Sequence, residues 1–127
     1  MPRIYDFGAR EVERRVTVAD LKAARATSKR YAQVTAETAD EAAAAEQAGI
    51  EMLVTRARNV ETVRKGSKTL FVTAALGFAD AVTPDEILRT AIKALTDGAD
   101  AVITARGMKT VAMLSPNTDV DALAKRV

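Results

Sequence analysis

Two stretches of this chain read as copies of one strand–helix–strand unit, and that repeat constrains the fold more than any other feature. The first runs VTAETADEAAAAEQAGIEMLVTRAR, from Val34 to Arg58. The second runs FVTAALGFADAVTPDEILRTAIKALTDGADAVITAR, from Phe71 to Arg106. Each opens on an apolar strand carrying Val-Thr-Ala and continues through Thr-x-Asp-Glu into a helix. Each closes that helix at a glycine and ends on a second apolar strand with Thr and Arg at its end. A repeated unit of this kind predicts an α/β fold with a parallel sheet. From Thr38 to Gly49 is 11 positions, and from Thr83 to Gly98 is 15. The difference of four is about one helical turn, so both helices present the same face to the sheet.

Local signals place the elements. Thr17 caps a helix over Val18–Ala26, with Asp20 at its third position. Strand Tyr31–Thr35 follows. Thr38 and Glu41 have capping-box spacing, and Gly49 stands where a left-handed residue ends the helix. Ile50–Thr55 is a buried strand, Asn59–Gly66 a short helix or turn, and Lys68–Ala74 a third strand. Thr83-Pro84-Asp85-Glu86 starts the longest helix, with an apolar stripe of Ile87, Leu88, Ala91, Ile92 and Leu95. Asp100–Thr104 is a fourth strand. Thr110–Leu114 reads as a fifth strand or a turn of helix, and Thr118–Arg126 as a closing helix. The 127 residues make one βα domain of four or five strands, with 1–16 as an N-terminal arm.

Composition narrows the chemistry. With no Cys and no His, there is no thiolate nucleophile, imidazole base or ordinary zinc site. Neither GxGxxG nor GxxxxGK[ST] occurs. There is no Trp, and two Tyr and three Phe are few platforms for base stacking, so nucleic acid is not expected as a partner. The net charge is +2. The first 30 residues carry eight Lys or Arg against four Asp or Glu, which fits a solvated helical face, with a weak nucleic-acid or anion patch as the alternative. No apolar run is long enough for a membrane span, and MPRIYDFGAR has no apolar leader core, so a cytoplasmic protein is expected.

Ligands of parallel βα folds bind outside the carboxyl ends of the strands. Here four strands end with threonines, Thr35, Thr55, Thr73 and Thr104, and Arg56, Arg58 and Arg106 follow two of them. Threonine also suits strands by propensity, and surface arginines also pair with neighbours such as Glu51, Glu61 or Asp100. As a set, though, hydroxyls and guanidiniums at one rim are suited to a small anion, because arginine holds carboxylate and phosphate bidentately. Glu37, just past the first strand, and Asp80, in the loop after the third, are the candidate acids or bases. The first-turn acids Asp40, Glu41, Asp85 and Glu86 are accounted for by capping and the helix dipole.

The segment order TVADLKAAR, VTAET, AAEQAGIEMLVT, ETVRKGSKTLFVTAALGF and TPDEILRTAIKALTDGADAVITARG resembles ketopantoate hydroxymethyltransferase, an enzyme of the phosphoenolpyruvate mutase-like barrels. The resemblance runs from about Thr17 to Val127 and covers the first half of that family's barrel. It implies half of a TIM-type barrel, with a flavodoxin-like three-layer sandwich as the alternative. The family's chemical residues do not carry over. Its first strand ends Thr-Ala-Tyr-Asp; Thr35 and Ala36 match, but Glu37 and Thr38 replace the last two. Its second ends Val-Gly-Asp-Ser with a magnesium ligand; Val54 matches, and Thr55-Arg56-Ala57 replaces the rest. Its third offers a metal-binding Asp where Ala75 stands, before Leu76-Gly77-Phe78. Its fourth reads Val-Lys-Leu-Glu-Gly-Gly, against Val102 and then Ile103-Thr104-Ala105-Arg106-Gly107. The family's catalytic base belongs to the half that the resemblance does not cover.

Magnesium needs hard oxygen ligands, usually carboxylates, and Arg56 puts a positive charge in their place. The expectation is therefore a non-catalytic or highly diverged relative with no metal and no cofactor, binding a small anion at its strand ends. One alternative is an active keto-acid hydroxymethyltransferase or lyase with a reorganised site, using Glu37 or Asp80. Another is a structural half-barrel whose open edges pair in a homodimer, since unpaired strand edges invite pairing.

Overall fold

A computed structural model describes residues 3–77 and 82–104. Asp80, Arg106 and the segments expected at Thr110–Leu114 and Thr118–Arg126 lie outside the described residues.

The chain enters through a small hairpin, β1 (Ile4–Tyr5) against β2 (Glu11–Val12), antiparallel. Asp6 closes its turn, accepting from the Arg10 N–H and the Arg10 side chain, each at 2.9 Å. The arm was expected to be irregular. Two-residue strands are too short to leave an alternation pattern, so the sequence does not announce them. Helix α1 (Val18–Ala24) starts on the Thr17 capping box, with Asp20 N–H to Thr17 Oγ1 at 3.2 Å and Thr17 N–H to Asp20 Oδ2 at 2.9 Å. It stops two residues before the expected end because Arg25, Ala26 and Thr27 turn back onto the third carbonyl before them.

The repeat then forms as written. Strand β3 (Gln33–Thr35) leads to α2 (Ala39–Gln47), capped by Thr38, and to β4 (Met52–Arg56). A short 3₁₀ turn (Ala57–Asn59) runs into α3 (Val60–Gly66) and then β5 (Phe71–Leu76). Helix α4 (Pro84–Thr96), capped by Thr83, leads to β6 (Ala101–Thr104). Gly49 and Gly98 end α2 and α4 at φ of +85° and +120°, the left-handed region that glycine adopts at least cost. Gly66 answers a different demand: a Cβ there would lie 1.9 Å from the Ala39 carbonyl oxygen, so α2 and α3 pack backbone to backbone.

The four-stranded sheet is parallel, in the order β3-β4-β5-β6. Leu53, Val72, Ala74 and Val102 share one face, and α2, α3 and α4 cover it with Ala42, Ala45, Val60, Val63, Ala94 and Leu95. On the opposite face, among the described residues, α1 and the residues before it cover the amino-terminal end, where Val16 and Val18 meet Phe71 and Ala101. The rest of that face is more open; Thr35 is exposed, Val54, Thr73 and Ala75 are half-buried, and Ile103 is 41 % exposed. Among the described residues no helix is long and apolar enough to cross a membrane.

One carboxylate ties the amino-terminal side of the sheet together. Asp100 accepts from Arg14 Nε at 2.9 and 3.0 Å, from Arg64 Nη2 at 2.7 Å and from the Val72 N–H at 3.0 Å. Arg64 also donates to the Gly98 and Leu70 carbonyls, at 2.8 and 2.6 Å. Burial pushes the Arg64 guanidinium down to about 10, with Asp100 opposing the shift, so it stays charged at neutral pH. Removing one member of this largely solvent-shielded cluster strands the others. Asp100→Ala should therefore cost about 3–5 kcal/mol. Urea unfolding measures this directly; a loss below about 1 kcal/mol would mean that the cluster is not holding the fold.

Candidate functional site at the strand ends

The side-chain period of two decides which strand-end hydroxyls can meet. Thr35 and Thr73 both pair with Val54 in register, so they share the open face. Thr55 pairs with Ala74 and Thr104 with Leu76, so these two share the helix-covered face, and both are buried. The four threonines thus fall two and two on opposite faces of the sheet rather than in a ring, and Thr73, expected at a strand end, lies mid-strand because β5 continues to Leu76. Arg56, one residue beyond Thr55, lies on the open face opposite Ala75, and Arg58 is exposed in the 3₁₀ turn.

The structure brings Thr55, Arg56 and Glu37 together. Glu37 Oε2 accepts from the Thr55 hydroxyl at 3.1 Å, from the Arg56 N–H at 3.4 Å and from the Asn59 side-chain amide. Arg56 Nε lies 3.8 Å from Glu37 Oε1. The Thr55 residue is 1 % exposed, so its hydroxyl depends on a protein acceptor. The Arg56 side chain, in contrast, is 61 % exposed, and its ion pair with Glu37 is long and solvated. Arg56 therefore pairs with Glu37 and not with Glu51, Glu61 or Asp100; Glu51 instead accepts from the Ala32 N–H.

The loop that carries Glu37 is held by the start of α2. Glu41 Oε1 accepts from the Glu37 N–H at 3.2 Å and the Thr38 hydroxyl at 3.0 Å, and these bonds hold its carboxyl below the ordinary 4.5. The donors are held by different elements. Thr55 and Arg56 belong to β4, paired along its length with β5, and Asn59 precedes the fully buried Val60. Asn59 was not singled out in the sequence. Its only signal is its position, three residues after Arg56 and next to the start of α3.

Chemically the site is a set of donors around one carboxylate, with a cation on its open side. Among the described residues no group of three acidic side chains is placed to hold a metal ion, and the Glu37 carboxylate is met by donors from Thr55, Arg56 and Asn59. That donor chemistry does not fit a magnesium site, which needs several oxygen ligands. The chain matches no known family model and no curated protein. Thr55→Val keeps the shape and removes the hydroxyl that donates to Glu37. Bonds to charged groups are worth about 1.5–3 kcal/mol, so unfolding experiments should show a loss in that range. An unchanged midpoint would place Glu37 away from Thr55.

Proposed function

We propose that this chain is a diverged, non-catalytic relative of ketopantoate hydroxymethyltransferase, built as half of a TIM-type barrel, that binds a small anion at its strand ends. The observation that carries the reading is the convergence of the Thr55 hydroxyl, the Arg56 N–H and the Asn59 amide on a single carboxylate, beside the exposed Arg56 guanidinium. Such a set recognises a carboxylate or phosphate without metal. Two features favour a half-barrel over a flavodoxin-like sandwich. The strand order follows chain order, whereas flavodoxin-like sheets run 2-1-3-4-5. Helices α2 to α4 share one face, which would be the outside of a barrel.

The test is proton NMR of 3-methyl-2-oxobutanoate in D₂O with the protein, with and without Mg²⁺, alongside amide shifts of the labelled protein. The ligand should move the resonances of Thr55, Arg56 and Asn59 and keep its methine proton at the protein-free rate. Arg56→Gln should weaken that binding about tenfold, the equivalent of one charge-assisted bond. Protein-dependent loss of the methine signal would instead show enolisation, and with it an active keto-acid enzyme. Unmoved rim resonances would refute anion binding.

The partly uncovered sheet face supports a second reading, a half-barrel module that dimerises. Strands β3 and β6, the outer strands among the described residues, and the exposed Ile103 are what a second copy would cover. Light scattering at high concentration should then give twice the chain mass, and Ile103→Lys should return it to the monomer mass. A monomer at all concentrations contradicts this reading.

A further inference from the structure

Glu37 sits where an external carboxylate would bind. Among the described residues its donors belong to one short stretch, Thr55 to Asn59, while the carboxylate comes from a different segment, the loop after β3. Removing the carboxylate therefore leaves Thr55 and Arg56 in place, since β4 is fixed by its pairing with β5, and Asn59 follows in the turn before the buried Val60. The Thr55 hydroxyl is then left buried without its acceptor, and Arg56 loses its counter-charge. The Glu37 side chain is 36 % exposed, so a solute can reach its position from water.

We infer that this rim is a carboxylate-binding site whose resident ligand is the chain's own Glu37, and that a free small monocarboxylate takes the same place when Glu37 is absent. The inference deepens the anion-binding reading and rests on it for the site's location. It also gives that site an internal competitor. A tethered group acts at an effective concentration in the millimolar range or above, so a free carboxylate must exceed that to displace Glu37. Selectivity follows from the donors. A monocarboxylate has two oxygens to share among a hydroxyl, a backbone N–H, an amide and a guanidinium, and chloride has no such geometry.

The experiment uses Glu37→Ala, from which the carboxylate and its adjoining methylene carbon are lost; acetate supplies an equivalent pair of carbons. Urea unfolding is compared in sodium acetate and sodium chloride at equal ionic strength. Acetate at ten times its dissociation constant for the variant should shift the variant's folding constant about elevenfold, saturably, and the wild type's far less, because Glu37 competes for the same donors. Acetate should also shift the Thr55 and Arg56 amides and the Asn59 side-chain amide of the variant. Adding Arg56→Gln to that background should weaken the acetate effect. Equal midpoints in the two salts would overturn the inference. If Glu37→Ala folds in neither salt, Glu37→Ser makes the same comparison, and equal midpoints there overturn it too. A wild type that binds no anion, beside a variant that binds acetate, would refute the proposed function and leave the inference standing. A variant indifferent to acetate refutes the inference whatever the wild type binds.

Discussion

The architecture depends on the partly buried carboxylate of Asp100. It brings together Arg14 from the lead-in, Arg64 from α3, and the backbone of Val72 at the start of β5. Burial disfavours the charge on Arg64 and the neighbouring Arg14 repels it, and the shared carboxylate opposes both effects. Their spare donors go to the carbonyls of Lys68, Leu70 and Gly98, which lie in the turns that deliver β5 and β6. The amino-terminal side of the sheet is thus fastened from three directions. A second carboxylate, Glu46, does related work next to it. It accepts from the hydroxyls of Ser67 and Thr69, and these bonds hold its carboxyl below the ordinary 4.5.

The proposed site lies at the opposite rim. The division follows the general logic of parallel βα folds, in which one end of the strands is stability and the other is function. At the rim the donors are rigid because β4 is a central strand, and the carboxylate arrives on a loop held by α2 capping bonds. Glu37 joins the first strand–helix connection to the second, so its bonds stabilise the rim and also fill it. The same arrangement accounts for why Arg56 is exposed yet not isolated.

Much of the architecture was readable from the residues. The capping pairs Thr17–Asp20, Thr38–Glu41 and Thr83–Glu86 start helices where they were expected, because a cap is a local bond between near neighbours. Gly49 and Gly98 end them for an equally local reason. What the sequence did not show is long-range or depends on parity. Arg14 and Asp100 are 86 positions apart, and no periodicity links them. The strand-end threonines were read as one rim, yet their faces depend on where each strand starts in the register, and that splits them two and two. Asn59 was missed because a single amide near a helix start is ordinary until a carboxylate from another loop meets it.

The central claim is that the rim donors close on Glu37, and the most direct test is proton NMR of the labelled wild-type protein. Strong nuclear Overhauser effects between the Asn59 side-chain amide protons and the Glu37 γ-protons, with slow exchange of that amide, are the predicted result. An Asn59 amide that exchanges at the rate of a solvated side chain and shows no contact with Glu37 would contradict the account.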